Sequence, residues 1–271
     1  MPSPPVDPQF AGLLAAWTAA TAARRATPAQ AVAALESTAD GHVVHGLPGR
    51  PGSASSELSL ADALAEFVGD RPGAVRVAFP APGHPLGLSG AGPFTSSALL
   101  ARSAVIVDGV GLVPEVDQRG SSYRGVRWRA FELDVVASAA APAFGVEPAR
   151  IIEQTDRALR RALRDATEAL EDVDLARWRP EASSGGVAAA AALRARLRAL
   201  PPSWPVAARA LAERSIALWR ALDVVSSDDG AASVSASAVR LTAVRELSHA
   251  VREAAMVAFN VPAGALLAGV A

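Results

Sequence analysis

Four histidines, His42, His45, His84 and His249, supply most of the proton-transfer and metal-binding chemistry open to this chain, because its 271 residues contain no cysteine. That absence excludes thiol catalysis, iron–sulfur clusters, cysteine zinc sites and a disulfide-stapled scaffold. In His42-Val43-Val44-His45 the two rings are three residues apart. On a strand they face opposite sides of the sheet and cannot chelate one ion together. His84 lies in the Gly/Pro-rich stretch 80–93. A two-histidine metal site completed by Asp108 or Glu115 is conceivable, but no metal and no other cofactor is expected. His249 falls off the apolar stripe of its segment, among Arg245, Glu246 and Glu253, and is expected to be solvated.

The most suggestive constellation runs from residue 74 to residue 108. The strand-like AVRVAF leads into the Gly/Pro stretch, then a short helix from Pro93, then AVIV ending at Asp108. Strand, glycine loop, helix, strand and acid is the order of a dinucleotide-binding unit. The glycines are spaced G-x-x-G-x-G, however, not G-x-G-x-x-G, and no G-K-S/T follows for a P-loop. If the loop binds a ligand, the residues that would hold it are His84, Gly87, Gly90, Gly92 and Asp108, with backbone N–H groups facing an anion. Catalytic residues are not identified: no G-x-S-x-G frame occurs, and the carboxylate pairs Glu115/Asp117 and Asp228/Asp229 sit in turn-like polar sequence. Tyr123, Arg124, Arg127, Trp128 and Arg129 mix rings with cations, as single-strand binders do. Alternation puts Trp128 on the face opposite the arginines, hence inward.

All 26 basic residues are arginine, and Asn260 is the single asparagine. Lysine and asparagine codons are AT-rich, so this usage points to a GC-rich bacterial genome. It also weakens arginine as a sign of phosphate recognition, since no other cation is in use. Formal net charge is −1, with 51% hydrophobic and 20% charged residues, which excludes disordered and collagen-like classes. Neither half of the chain is strongly basic, and no nucleic-acid partner is expected. The N-terminal residues carry no signal-like pattern. Residues 254–271 are uncharged over nearly a membrane-span length, but Asn260 and Pro262 interrupt them. No membrane partner and a cytoplasmic location are expected.

Positioning these residues falls to two kinds of texture. Residues 1–9 read as a loose or disordered N-terminus, and 10–136 as an α+β domain with a small, mainly antiparallel sheet and flanking helices. In it, helices start at about Phe10, at Thr27-Pro28 and near Ser59; strands cover HVVHG, AVRVAF, AVIV, 109–116 and 123–133. Phe131 and Leu133 break the polar alternation of the last strand, which predicts a bulge or strand end there. Residues 137–145 read as a linker, and 146–271 as an antiparallel helical bundle. Its first helix, 147–175, carries Ile152, Leu159, Leu163, Ala166, Leu170 and Val173 on one stripe. Further helices are marked by Leu193, Leu197 and Leu200, by Leu211, Leu218, Trp219 and Leu222, and by Val244, Leu247 and Val251. Pro262 should end the last one.

The long helices and the lack of a catalytic set favour a non-enzymatic binding or protein-interaction protein, with a protein partner or homodimer in view. The alternative is a small-molecule or nucleotide-binding protein, an enzyme among its forms, that uses loop 80–93.

Overall fold

Local signals decide where several helices begin. Thr27 caps helix α2 (Pro28–Glu36): its hydroxyl accepts from Gln30 N–H at 3.2 Å, and the Gln30 side chain accepts from Thr27 N–H at 2.9 Å. Ser59 accepts from Asp62 N–H and starts α3 (Leu60–Val68). Pro93 opens α4 (Pro93–Ala101) at its first turn. The computed structural model describes residues 6–49, 57–69, 74–120, 122–133, 147–174, 199–226 and 234–269.

The fold is α+β. Helix α1 (Gln9–Ala22) precedes α2; strands β1 (His42–His45) and β2 (Glu57–Ser59) precede α3; β3 (Val75–Ala78) precedes α4. Strands β4 (Ala104–Val107), β5 (Val110–Arg119) and β6 (Tyr123–Glu132) follow. The sheet order is β2–β1–β6–β5–β4–β3, with every neighbouring pair antiparallel except β1–β6, which is parallel. Helices α5 (Pro148–Asp174), α6 (Val206–Ser226) and α7 (Val234–Leu267) complete the described chain.

Register divides the sheet into two unlike faces. Val44, Val77, Val105, Leu112, Val126 and Trp128 point to one side and join a core shared with α1, α3 and the C-terminal helices. Ile106, Val113 and Phe131 point to the other, where Phe94 and Ala98 of α4 cover them. Of the bulge or strand end expected around Phe131 and Leu133, the strand end is what forms: the ladder runs without a bulge to Glu132, opposite Val110, and stops. What changes at Phe131 is the cover. Its ring lies 5.8 Å from that of Phe94, whereas Arg127 and Arg129 on the same face reach solvent.

Every residue of α1 is buried, since the helix touches β3, β4 and α7. Residues 6–9, expected to be loose, are held: Val6 and Gln9 are buried and Asp7 is ion-paired with Arg220 of α6. On α5 the stripe is buried at Ile152, Leu159 and Ala166, while Leu163 is half-buried. The inward face of α6 is centred on Ala208, Leu211, Ala212, Ile216 and Trp219, and leaves Leu218 and Leu222 half-covered. The helix expected around Leu193 and Leu197, and the linker 137–145, lie outside the described residues.

Pro262 does not end the last helix, which continues to Leu267. A proline there removes the N–H that would bond to the Ala258 carbonyl. Trp204 replaces it, donating its indole N–H to that carbonyl at 3.3 Å. The next open edge of the sheet is treated similarly. Asn260 accepts from Val77 N–H at 2.7 Å and donates to the Val77 carbonyl at 3.0 Å, so it stands in for a neighbouring strand at β3. By length and composition, 238–267 resembles a membrane span, yet 61% of its most apolar window is buried within the fold.

Candidate ligand-binding site

Pro80 leaves β3 and the chain turns at once. Pro82 presets φ at the second turn position and Gly83 supplies φ +78° at the third. Ala81 and His84 close the turn through reciprocal backbone hydrogen bonds of 2.9 Å. This rigid turn sets the His84 ring against His249 of α7, with ring centroids 4.3 Å apart. Between turn and helix runs a groove of about 450 Å³, lined by His84, Thr242, Arg245, Ser248, His249 and Arg252 among others.

The α7 residues at positions 245, 248, 249 and 252 follow the i, i+3, i+4, i+7 spacing of one helix face. Arg252 is buried, donates to the Pro80 carbonyl at 3.0 Å, and lies 4.2 Å over the Trp219 ring. Arg102 approaches the same ring at 5.6 Å and is held by Asp223 at 2.5 Å. Burial, and then repulsion from Arg102, lower the Arg252 pKa to about 10, with Asp223 opposing. The guanidinium remains charged at neutral pH. Among the described residues no carboxylate lies at ion-pair distance from it. His249 Nδ1 is buried and has no hydrogen-bond partner among the described residues.

Of the residues expected to hold a ligand, His84 alone lines this groove. Gly87 lies behind it: a Cβ there would meet Ala78 at 3.1 Å and the Met256 sulfur at 3.2 Å, so its use is a close approach of loop to core. A Cβ on Gly90 or Gly92 would meet open space; Gly90 is exposed and Gly92 half-buried. Asp108 sits in the β4–β5 turn and accepts from Ala74 N–H at 3.0 Å, at the opposite end of β3 from Pro80. Because β3 and β4 are antiparallel neighbours, the segment lacks the parallel crossover of a dinucleotide-binding unit. His249, expected in solvent, is half-buried because the Pro-Gly turn covers it.

The other constellations are occupied by structure. His42 is buried between Leu35 and Trp128, while His45 lies on the opposite face of β1. Trp128 is fully buried and offers no stacking surface. Asp117 is buried and held by Arg119 at 2.8 Å, with Arg127 at 3.7 Å. No group of three His, Asp or Glu side chains able to hold a metal ion occurs among the described residues.

Residues 11–143 match the N-terminal domain of Rv1486c-like proteins, and residues 153–256 match the C-terminal domain. The chain belongs to the Rv1486c-like family. That family is of unknown function. No curated protein and no solved structure matches the chain. The groove spans both matched regions of this Rv1486c-like chain: His84 falls in the first, and Arg245, His249 and Arg252 in the second.

Proposed function

We propose that this protein binds a small molecule in the groove between the Ala81–His84 turn and α7, without a catalytic set of its own. The observation that carries this reading is Arg252: a buried cation lining an open groove, with no carboxylate of the described residues paired to it. Taking a charge out of water is costly unless a partner compensates it. Two histidines brought together beside it from distant segments add recognition groups, but among the described residues no hydrogen bond joins the Ser248 or Thr242 hydroxyl to either imidazole. A thermal-shift panel of anions, nucleotides, neutral polyols and divalent metals tests the reading. At least one class should raise the melting temperature of the native protein. If none does at millimolar concentration, the reading fails.

A second reading, a protein-interaction module, is favoured by one feature of α7. Val239 is 45% exposed and lines a mostly apolar groove between α7 and α5. Native mass spectrometry separates the two: a stable oligomer lost on Val239→Glu, with no ligand response, favours the interaction module.

A further inference from the structure

We infer that the ligand of this groove carries a phosphate monoester group, held by Arg245, Ser248, His249 and Arg252 of α7 and by His84 of the facing turn. The inference rests on the binding reading above and specifies its chemistry. Four donor side chains lie on one helical face, a fifth comes from across the groove, and no carboxylate is among the lining residues. The acidic neighbours are turned away: Glu246 lines the separate groove against α5, and Glu253 is exposed. Beneath the floor, two guanidiniums approach Trp219 while one carboxylate, Asp223, serves them through Arg102. Among the described residues the cluster therefore keeps one positive charge in excess, next to a buried His249 Nδ1 that has no hydrogen-bond partner among them.

Such a set selects an anion over a cation. A metal ion would find two imidazoles, two repelling arginines and no third ligand from a carboxylate. Among anions, a planar carboxylate is satisfied by one arginine fork. Donors converging from a helix face and from an opposing turn suit the three terminal oxygens of a tetrahedral monoester better. The remaining lining, Ala81, Pro82, Leu241 and Val244, gives the organic part a small apolar wall. Among the described residues no aromatic ring besides the histidines lines the groove, and Gly90 and Gly92 do not line it, so these residues provide nothing for a nucleobase or a diphosphate.

The test is calorimetric titration of the full chain with glycerol phosphate, inorganic phosphate, acetate and Zn(II). Arg245 and His84 are exposed, so Arg245→Ser and His84→Ala should fold normally; circular dichroism and melting temperature verify this. Glycerol phosphate should bind, acetate should bind at least tenfold more weakly, and each substitution should weaken the phosphate ester about tenfold, as loss of one charge-assisted contact does. Arg252→Met should abolish binding, but Arg252 also stacks on Trp219, so the two exposed variants decide. Phosphate binding that survives both substitutions lies elsewhere and overturns the inference. Acetate binding equally well, or Zn(II) binding that His84→Ala removes, overturns the phosphate assignment while leaving a ligand groove. No response to any of these four probes overturns the inference, and the binding reading falls with it only if the wider thermal-shift panel is also silent.

Discussion

His42 is a side chain whose acid–base behaviour the fold changes within the experimentally accessible pH range. Its Nε2 donates to the Leu35 carbonyl at 3.1 Å, and its Nδ1 accepts from the Trp128 indole at 3.2 Å, which fixes one neutral tautomer. Burial lowers its pKa from 6.5 to about 4, although the Leu35 bond opposes the shift. A depressed histidine pKa gives stability that is complete above 6.5 and is lost as pH falls toward 4, because the unfolded chain takes up the proton first. The difference corresponds to about 3 kcal/mol. Urea unfolding at pH 7.5, 5.5 and 4.5 should show that loss, and His42→Gln, which can accept and donate without titrating, should flatten it. Parallel pH curves for the two proteins would refute the assignment. The separation of His42 from His45 was readable from spacing alone, because strand alternation is local. The pairing of His84 with His249 was not. Helical periodicity correctly placed His249 off the apolar stripe, but the Pro-Gly turn that covers it arrives from a remote part of the chain. The signal the sequence does carry there is Pro82-Gly83, a Pro-Gly pair beside a histidine, which marks a turn.

Among the elements, α7 departs furthest from its sequence pattern. Pro262 inside a helix leaves the Ala258 carbonyl without its usual donor, and Trp204 supplies one. Trp204→Phe should therefore cost about 1–3 kcal/mol through the unsatisfied carbonyl, with some further loss of packing. In a Pro262→Ala background the backbone N–H returns, and the same substitution should cost less by about 1 kcal/mol. A double-mutant cycle by urea denaturation measures the difference. Strict additivity would mean the indole bond does not compensate the proline. Helix starts at Thr27 and Ser59 were legible because the capping residues and their partners lie within three positions. The strand through Phe131 was legible in its geometry but not in its cover, since α4 lies on that end of the sheet alone. The passage through Pro262 was hidden because its remedy is a tryptophan far back in the sequence.

At the scale of the molecule, the two family-matched regions share one hydrophobic core. It runs from Val44 and Trp128 of the sheet through Leu13 and Leu14 of α1 to Leu211, Val251 and Phe259 of the C-terminal helices. The crossing of α1 with α7 is close: a Cβ on Gly12 would come within 2.3 Å of the Phe259 ring. Polar contacts run the same way. Trp17 donates to the Ala199 carbonyl at 2.5 Å, Asn260 holds both backbone groups of Val77, and Arg252 holds Pro80. Each region thus satisfies groups that the other leaves open, and burial of apolar area between them is the dominant stabilising term. Residues 1–143 expressed alone should lose the cover of α1 and the plug on the β3 edge, and should aggregate or melt without a cooperative transition. Mixing with residues 147–271 should restore cooperative unfolding and, with it, any ligand response, because His84 and His249 then meet again. The measurement is a thermal melt with 1H–15N spectra of each fragment and of the mixture. A well-dispersed spectrum and a cooperative melt from the first fragment alone would show that the shared core is a docking surface between independent domains rather than a condition of folding.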